Sequence, residues 1–308
     1  MRIRDDDDAS LVSLADITEI ELVILKRMRE VTIGDHRSRQ HGTGFDFVGL
    51  RDWQPGDRFA SIDWGQSSLT NFSPLVVRDF EQPSTSTVVA IADVSLSTRC
   101  GFGGVPIAAG VARAIATIGL SAVFFQDPFG IVTFDEGFQH LGAIRPRTGK
   151  GHVVHCLDAY ENQRGLQELR RSNSLSATLS GYLRNPALMV VISDFLIEDP
   201  EATLRELSLV RATHDLFLII VDSAFAFDAP ALSSGWIDVV DVETGRTRTL
   251  SRHTLTELAE RARDWQANVK RLAKDADLDV VTFGLDDTKS DIELSEFVAE
   301  RRLRKTSN

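Results

Sequence analysis

The stretch "VVAIADVSLSTRCG", residues 88–101, decides the fold. Five apolar residues run without a polar partner into Asp93, and two hydroxyls then follow at alternate positions, Ser95 and Ser97, before a glycine. A strand that is apolar at successive positions has both faces covered, as in a parallel sheet sandwiched between helices. Asp and Ser also close turns without further purpose, so the reading depends on the rest of the chain. Downstream, such strands alternate with helical stretches: "VPIAAGVARAIATIGL", short strands "AVFF" and "FGIVTFD", then "GHVVHCLDAYENQ", "ALMVVISD", "PEATLRELSLVRAT", "DLFLIIVD", a helix over about 254–276, "LDVVTFG" and a last helix ending "ERRLRK". The expected class is α/β, a mostly parallel Rossmann-type sheet with helices on both faces. Ligands of such sheets sit at the carboxyl ends of the strands, near the switch in strand order.

Outward from this core, residues 1–17, with Asp5 to Asp8, read as a flexible acidic tail. Residues 18–84 read as a helix, with Ile20, Val23, Ile24 and Val31 near one face, followed by a small β-rich module whose Gln54-Pro55-Gly56-Asp57 is a tight turn. Residues 85–308 form the α/β domain. In the helix over 254–276, Leu255, Leu258, Ala262, Trp265, Val269 and Leu272 define one apolar stripe.

The 308 residues carry a formal charge of −11, which disfavours nucleic acid and anionic lipid and favours a basic partner or a cation. Two cysteines are too few for a disulfide framework, and the start has no signal-peptide pattern, so a cytoplasmic protein is expected. The stretch 101–125 is apolar enough to imitate a membrane span. Arg113 near its middle and the glycines and proline at its start favour a buried helix and strand, and no transmembrane segment is expected.

Asp93, Ser95 and Ser97 at one strand end and Asp194 after "ALMVVIS" supply oxygen ligands suited to magnesium or manganese, whose octahedral shells have metal–oxygen distances of about 2.0–2.1 Å. Asp135, Asp222, Asp286 and Asp287 also follow strands, so a strand-end aspartate alone discriminates little. The paired serines set Asp93 apart. His152 and His155 share a helix with no nearby carboxylate at metal spacing and read as surface or packing residues, and "CGFGG" lacks the Lys-Ser or Lys-Thr of a phosphate loop. Arg51, Trp53, Asp57, Arg58, Asp63 and Trp64 form either a structural ion-pair network or a docking surface for a partner.

The Asp93-Val94-Ser95-Leu96-Ser97 run resembles the metal-ion-dependent adhesion site of von Willebrand factor A domains. Together with "GTGFDFVGLRDWQPGDRFASIDWGQSS…LVVRDFE", it resembles the bacterial domain-of-unknown-function family fifty-eight over roughly residues 18–300. The resemblance implies a von Willebrand A-like fold, a metal edge of Asp93, Ser95, Ser97 and Asp194, and a MoxR-type AAA+ ATPase as partner. It also implies an adaptor or co-chaperone role in assembling or maturing an unknown client complex. The threonine ligand that the resemblance expects falls on Gly151, with Thr148 three residues earlier as its stand-in, and Thr98 stands where methionine is common. A non-enzymatic interaction module is therefore expected. The alternatives are a metal-dependent hydrolase of phosphatase type using Asp93, which lacks a second Asp at position 95, and a metal-free scaffold.

Overall fold

A computed structural model describes residues 10–33, 41–42, 46–55, 57, 59–81, 86–135, 138–170, 172–227, 235–240, 242, 245–285 and 288–306. The chain begins with α1 (Leu14–Ile33), then β1 (His41–Gly42), β2 (Asp46–Asp52), α2 (Trp64–Leu69) and β3 (Val76–Glu81). β4 (Val88–Asp93), β5 (Gly101–Phe102), β6 (Val105–Pro106), α3 (Ile107–Phe124), β7 (Phe129–Phe134), β8 (Leu141–Arg147) and α4 (Lys150–Asn162) follow. Next come β9 (Gln167–Glu168), α5 (Leu175–Tyr182), β10 (Leu188–Ser193), α6 (Pro200–Val210) and β11 (Asp215–Val221). The chain closes with β12 (Trp236–Val240), β13 (Thr247–Ser251), α7 (Arg252–Asp275), β14 (Asp279–Phe283) and α8 (Thr288–Thr306).

Seven strands form one sheet in the order β14-β11-β10-β4-β7-β8-β9. β14, β11, β10, β4 and β7 are mutually parallel; β8 runs antiparallel to them at one edge, and the short β9, antiparallel to β8, returns to their direction. From β4 the chain builds outward through β7, β8 and β9, then returns to lay β10 on the other side of β4. The switch in strand order therefore falls between β4 and β10, the position at which α/β sheets leave a crevice at their carboxyl ends.

Alternation along the strands sorts the core into two layers, because successive side chains of a strand point to opposite faces. Val88, Ala90 and Ala92 pack with α1, α3, α4 and α8 on one face, whereas Val89 and Ile91 pack with α5, α6 and α7 on the other. α3 lies close on the sheet because Gly110 has no side chain: a Cβ there would stand 2.7 Å from Val221 Cγ1. α3 is long and apolar enough to cross a membrane, and 72% of that stretch is buried inside this fold. Its Arg113 donates to both carboxylate oxygens of Asp291 on α8, which also accepts from Thr117. "AVFF", expected as a strand, is the last turn of α3 and the residue after it; a helix already buried on several sides shows no change of period at its end.

α1 starts at Leu14, earlier than expected, and Val12 and Ile17 are buried, so the segment from residue 12 onward is part of the core; residues 1–9 lie outside the described residues. Ile17, Ile20, Ile24 and Met28 form its inner face. α1 packs on α3 and α8, which places it with the α/β layers, so the three-stranded sheet β1-β3-β2 and α2 form an insertion between α1 and β4. α7 buries Leu255, Ala259, Ala262, Gln266, Val269 and Ala273, a stripe shifted by one position at several turns from the expected one. That shift brings a polar side chain, Gln266, under the sheet's carboxyl edge.

Candidate metal centre

β4 and β10 are neighbours, so Asp93 and Asp194, which end or follow them, meet at the switch point, and both are completely buried. Asp93 is held on both oxygens. Oδ1 accepts the Ser95 backbone N–H at 2.8 Å, and Oδ2 accepts the Ser193 hydroxyl at 2.5 Å. The Asp93 carbonyl accepts the buried Tyr160 hydroxyl at 2.9 Å, tying α4 to the same strand end. The turn after Asp93 places Ser95 Oγ and Ser97 Oγ 3.0 Å apart, and Thr98 Oγ1 donates to the Ser95 carbonyl to fix that turn.

Asp194 is held differently. Its Oδ1 accepts the Leu196 N–H at 3.0 Å, while Oδ2 is buried with no hydrogen-bond partner among the described residues. The following residue, Phe195, adopts φ +54°, a left-handed conformation uncommon for a bulky residue. Its neighbours hold it there: Phe195 N–H donates to Ser193 Oγ at 2.8 Å, and Trp265 Nε1 on α7 donates to its carbonyl at 2.7 Å. Gln266 Nε2 donates to the Asp194 carbonyl (3.1 Å), the Val221 carbonyl (2.8 Å) and Ser223 Oγ (3.1 Å), so one buried amide spans the ends of β10 and β11.

The electrostatics follow from this burial. Desolvation raises the Asp93 pKa against the lowering effect of the Ser193 and Ser95 hydrogen bonds, and the charge of Asp135 adds to the rise. Burial, then the neighbouring Asp93 charge, pushes Asp194 up to about 6, with the Leu196 N–H and the proximity of the Ser97 hydroxyl, which makes no formed hydrogen bond to Oδ2, pulling the other way. Two buried carboxylates with raised pKa values and an oxygen lacking a donor make an environment that a cation would relieve.

The oxygen set fits a small hard divalent ion. Adjacent ligands of an octahedral shell with bonds of about 2.0–2.1 Å lie about 2.9 Å apart, matching the spacing of the Ser95 and Ser97 hydroxyls. Asp93, Ser95, Ser97 and Asp194 come together. Thr148 does not join them: it is exposed and follows β8, whose last residue Arg147 pairs with Phe129 at the start of β7, whereas Asp93 pairs with Phe134 at its end. β8 is antiparallel, so it carries the chain back to the opposite edge of the sheet. Among the described residues no group of three or more His, Cys, Asp or Glu side chains is placed to hold a metal, so any ion here relies on two carboxylates and the hydroxyls.

Of the other strand-end acids, Asp135 accepts from His140 N–H and pairs with its ring Nδ1 at 2.5 Å, Asp222 Oδ1 accepts the Ala224 N–H, and Asp286 and Asp287 lie outside the described residues. His152 meets Cys156 Sγ at 3.6 Å. The sequence does not single out Ser193 or Gln266, and it marks Trp265 only as part of an apolar stripe. Only "IS" before Asp194 hinted at the first, since a hydroxyl buried at the close of an apolar strand needs a hydrogen-bond partner.

In the β-rich insertion, Arg51 grips both oxygens of Asp57 at 2.7 Å, and Gln54 N–H donates to the same carboxylate. The Arg51 hydrogen bonds hold the Asp57 pKa down to about 2. Asp63 caps α2 through Gln66 N–H and pairs with Arg78, a partner absent from the expected set. Trp53 is half-buried with its ring stacked on Phe59, Trp64 is 58% exposed, and Arg58 lies outside the described residues. The ion pairs thus lock turns, while Trp64 faces solvent.

No curated protein matches the chain. Among solved structures, an aerotolerance-related membrane protein from Bacteroides fragilis is 13% identical with a TM-score of 0.40, covering 70% of this chain and 99% of that one. The hypothetical protein BatB from Bacteroides thetaiotaomicron is 14% identical with a TM-score of 0.43, covering 71% and 99%. The PilB minor pilin from Streptococcus sanguinis is 9% identical with a TM-score of 0.35, covering 76% and 66%. The family described as "Protein of unknown function DUF58" matches residues 49–278, most of the length, and the chain belongs to that family.

Proposed function

We propose that this protein is a non-enzymatic interaction module with a von Willebrand A-like fold and a metal-ion-dependent adhesion-type edge. Asp93, Ser95, Ser97 and Asp194 would hold magnesium or manganese there. The bound ion would supply open coordination positions for a carboxylate of a partner. The observation that carries this reading is the unpartnered, buried Asp194 Oδ2 beside the Asp93 carboxylate and the Ser95–Ser97 hydroxyl pair. The resemblance described above suggests the partner, a MoxR-type AAA+ ATPase, with the protein serving as adaptor or co-chaperone for a client complex.

The same geometry argues against Asp93 as a hydrolase nucleophile. Asp93 is fully buried, whereas a nucleophile must be reached by its substrate. Calorimetric titration with magnesium and with manganese tests the reading. Saturable one-site binding in the wild type, lost in Asp194→Ala and Ser97→Ala variants that still melt cooperatively, is the expected result. Absence of heat and of any thermal shift in the wild type would favour the metal-free scaffold, and release of phosphate from a generic ester dependent on Asp93 would reinstate the hydrolase.

A further inference from the structure

A second concavity opens at the carboxyl edge of the sheet, separate from the metal centre. It is a cleft of about 480 Å³, within the range of sites that take a small ligand or a few side chains. Six parts of the chain build it: the segment before α1, the first turn of α1, the β5–β6 hairpin, the first turns of α3, and the loop ends after β11 and after β14. Leu11, Phe102, Phe225 and Leu285 give it apolar walls.

Its charges are unbalanced. Arg113 faces the cleft but is already matched by both oxygens of Asp291. Asp16 and Asp222 also line the cleft and neither makes an ion pair among the described residues: Asp16 Oδ2 accepts from Ser13 and feels Arg113 only as the least of the influences on it, and Asp222 Oδ1 accepts the Ala224 N–H. Asp222 Oδ2 has no hydrogen bond among the described residues. An apolar slot with two surplus carboxylates selects an occupant that is apolar and cationic at once. The acidic tail of this chain, Asp5 to Asp8, has the wrong charge for it.

Phe102 and Val105 extend the apolar surface beyond the slot, being 39% and 46% exposed on the hairpin that follows the Ser95–Ser97 turn. A lip of this kind contacts something longer than a small amine. We propose that the cleft receives a short segment of a protein partner in which a Lys or Arg stands beside bulky apolar residues. The basic head would lie against Asp16 and Asp222, with the apolar neighbours on Phe102, Val105 and Phe225. This inference does not require a metal at the Asp93–Asp194 edge.

The test therefore runs in the presence of chelator, with the full chain and three probe peptides, acetyl-Leu-Arg-Leu-amide and its Gln and Glu counterparts, followed by saturation-transfer and chemical-shift NMR. Saturable binding of the Arg peptide is expected, weaker for Gln and absent for Glu. Asp222→Asn should weaken the Arg peptide about fivefold, the equivalent of one partly screened ion pair, and bring it level with the Gln peptide. Ala109→Phe, which fills the slot from α3, should abolish binding while the protein still melts cooperatively; if that variant fails to fold, the Asp222→Asn comparison alone decides. No saturation up to about 10 mM, equal binding of the Glu peptide, or Arg-peptide affinity unchanged in Asp222→Asn would each overturn the proposal. None of these outcomes bears on the metal reading, which is measured without peptide.

Discussion

Replacing Asp194 by asparagine should make the metal-free protein more stable while abolishing its metal response. The carboxylate is fully buried, and folding raises its pKa from 3.8 to about 6. The folded protein thus holds this proton more tightly than the unfolded chain, so the contribution of Asp194 to stability declines as pH rises from near 4 to near 6 and stays low above. At about 1.4 kcal/mol per pKa unit, the penalty at pH 7.5 is about 3 kcal/mol. Asparagine keeps Oδ1 for the Leu196 N–H and removes the charge that Oδ2 carries without a donor. Equilibrium urea unfolding of both proteins in chelator should show nearly equal stability near pH 4 and an advantage for the variant near pH 7.5. The expected Tm difference at the higher pH is on the order of 5–10 °C. Saturating magnesium should then raise the wild type, by about 2.7 kcal/mol at a hundred times Kd, and leave the variant unmoved. A variant less stable than wild type at pH 7.5, or a difference that does not change with pH, would refute the reasoning.

Ligand carboxylates must be ionised to bind, so manganese affinity should fall about tenfold per pH unit below the Asp194 pKa of about 6 and level off above it; calorimetry between pH 5 and 8 would reveal a flat profile if Asp194 is not a ligand. Gln266→Leu removes the donor to two buried carbonyls, Asp194 and Val221, and should cost about 2–4 kcal/mol in denaturant unfolding; a change under about 0.5 kcal/mol would mean that the amide does not brace the edge. Arg113→Met strands the buried Asp291 carboxylate and should cost about 3–5 kcal/mol, whereas the double change with Asp291→Leu should recover much of that loss. Trp64→Ala should melt within about 0.5 kcal/mol of wild type, since the ring is mostly exposed, and any loss of partner capture in a pull-down would then reflect docking alone.

The acids of the candidate site were readable from the sequence because a strand apolar on both faces must belong to a covered sheet, and such a sheet puts its ligands at strand carboxyl ends. Asp93 and Asp194 follow from that rule. Thr148 misled because nothing local in "LGAIRPRT" tells whether its strand runs with or against its neighbours, and direction decides which edge of the sheet the next residue reaches. Gln266 was hidden by its own helix: Leu258, Trp265 and Leu272 made a plausible apolar stripe, and only packing on the sheet rotates the helix so that Ala259, Gln266 and Ala273 face inward. Ser193 gave a weak local sign, and its bond to Asp93 joins residues a hundred positions apart. Composition identified α3 as apolar, but not that its single arginine would find Asp291 on the last helix.

α1 lies in the α/β layers against α3 and α8, and Arg27 on α1 pairs with Glu296 on α8. The β-rich insertion is consequently tethered at both ends, by α1 on one side and β4 on the other, and is not a leading domain on a free string. A fragment starting after residue 84 would lose Ile17, Ile20, Ile24 and Met28 and uncover the apolar surface they shield on two helices. A partner pulling on the insertion would also divide its force between two anchors of different kinds. β4 is stitched by hydrogen bonds into the middle of the sheet, whereas α1 is held mainly by side-chain packing, so load should strip the first helix long before it disturbs Asp93.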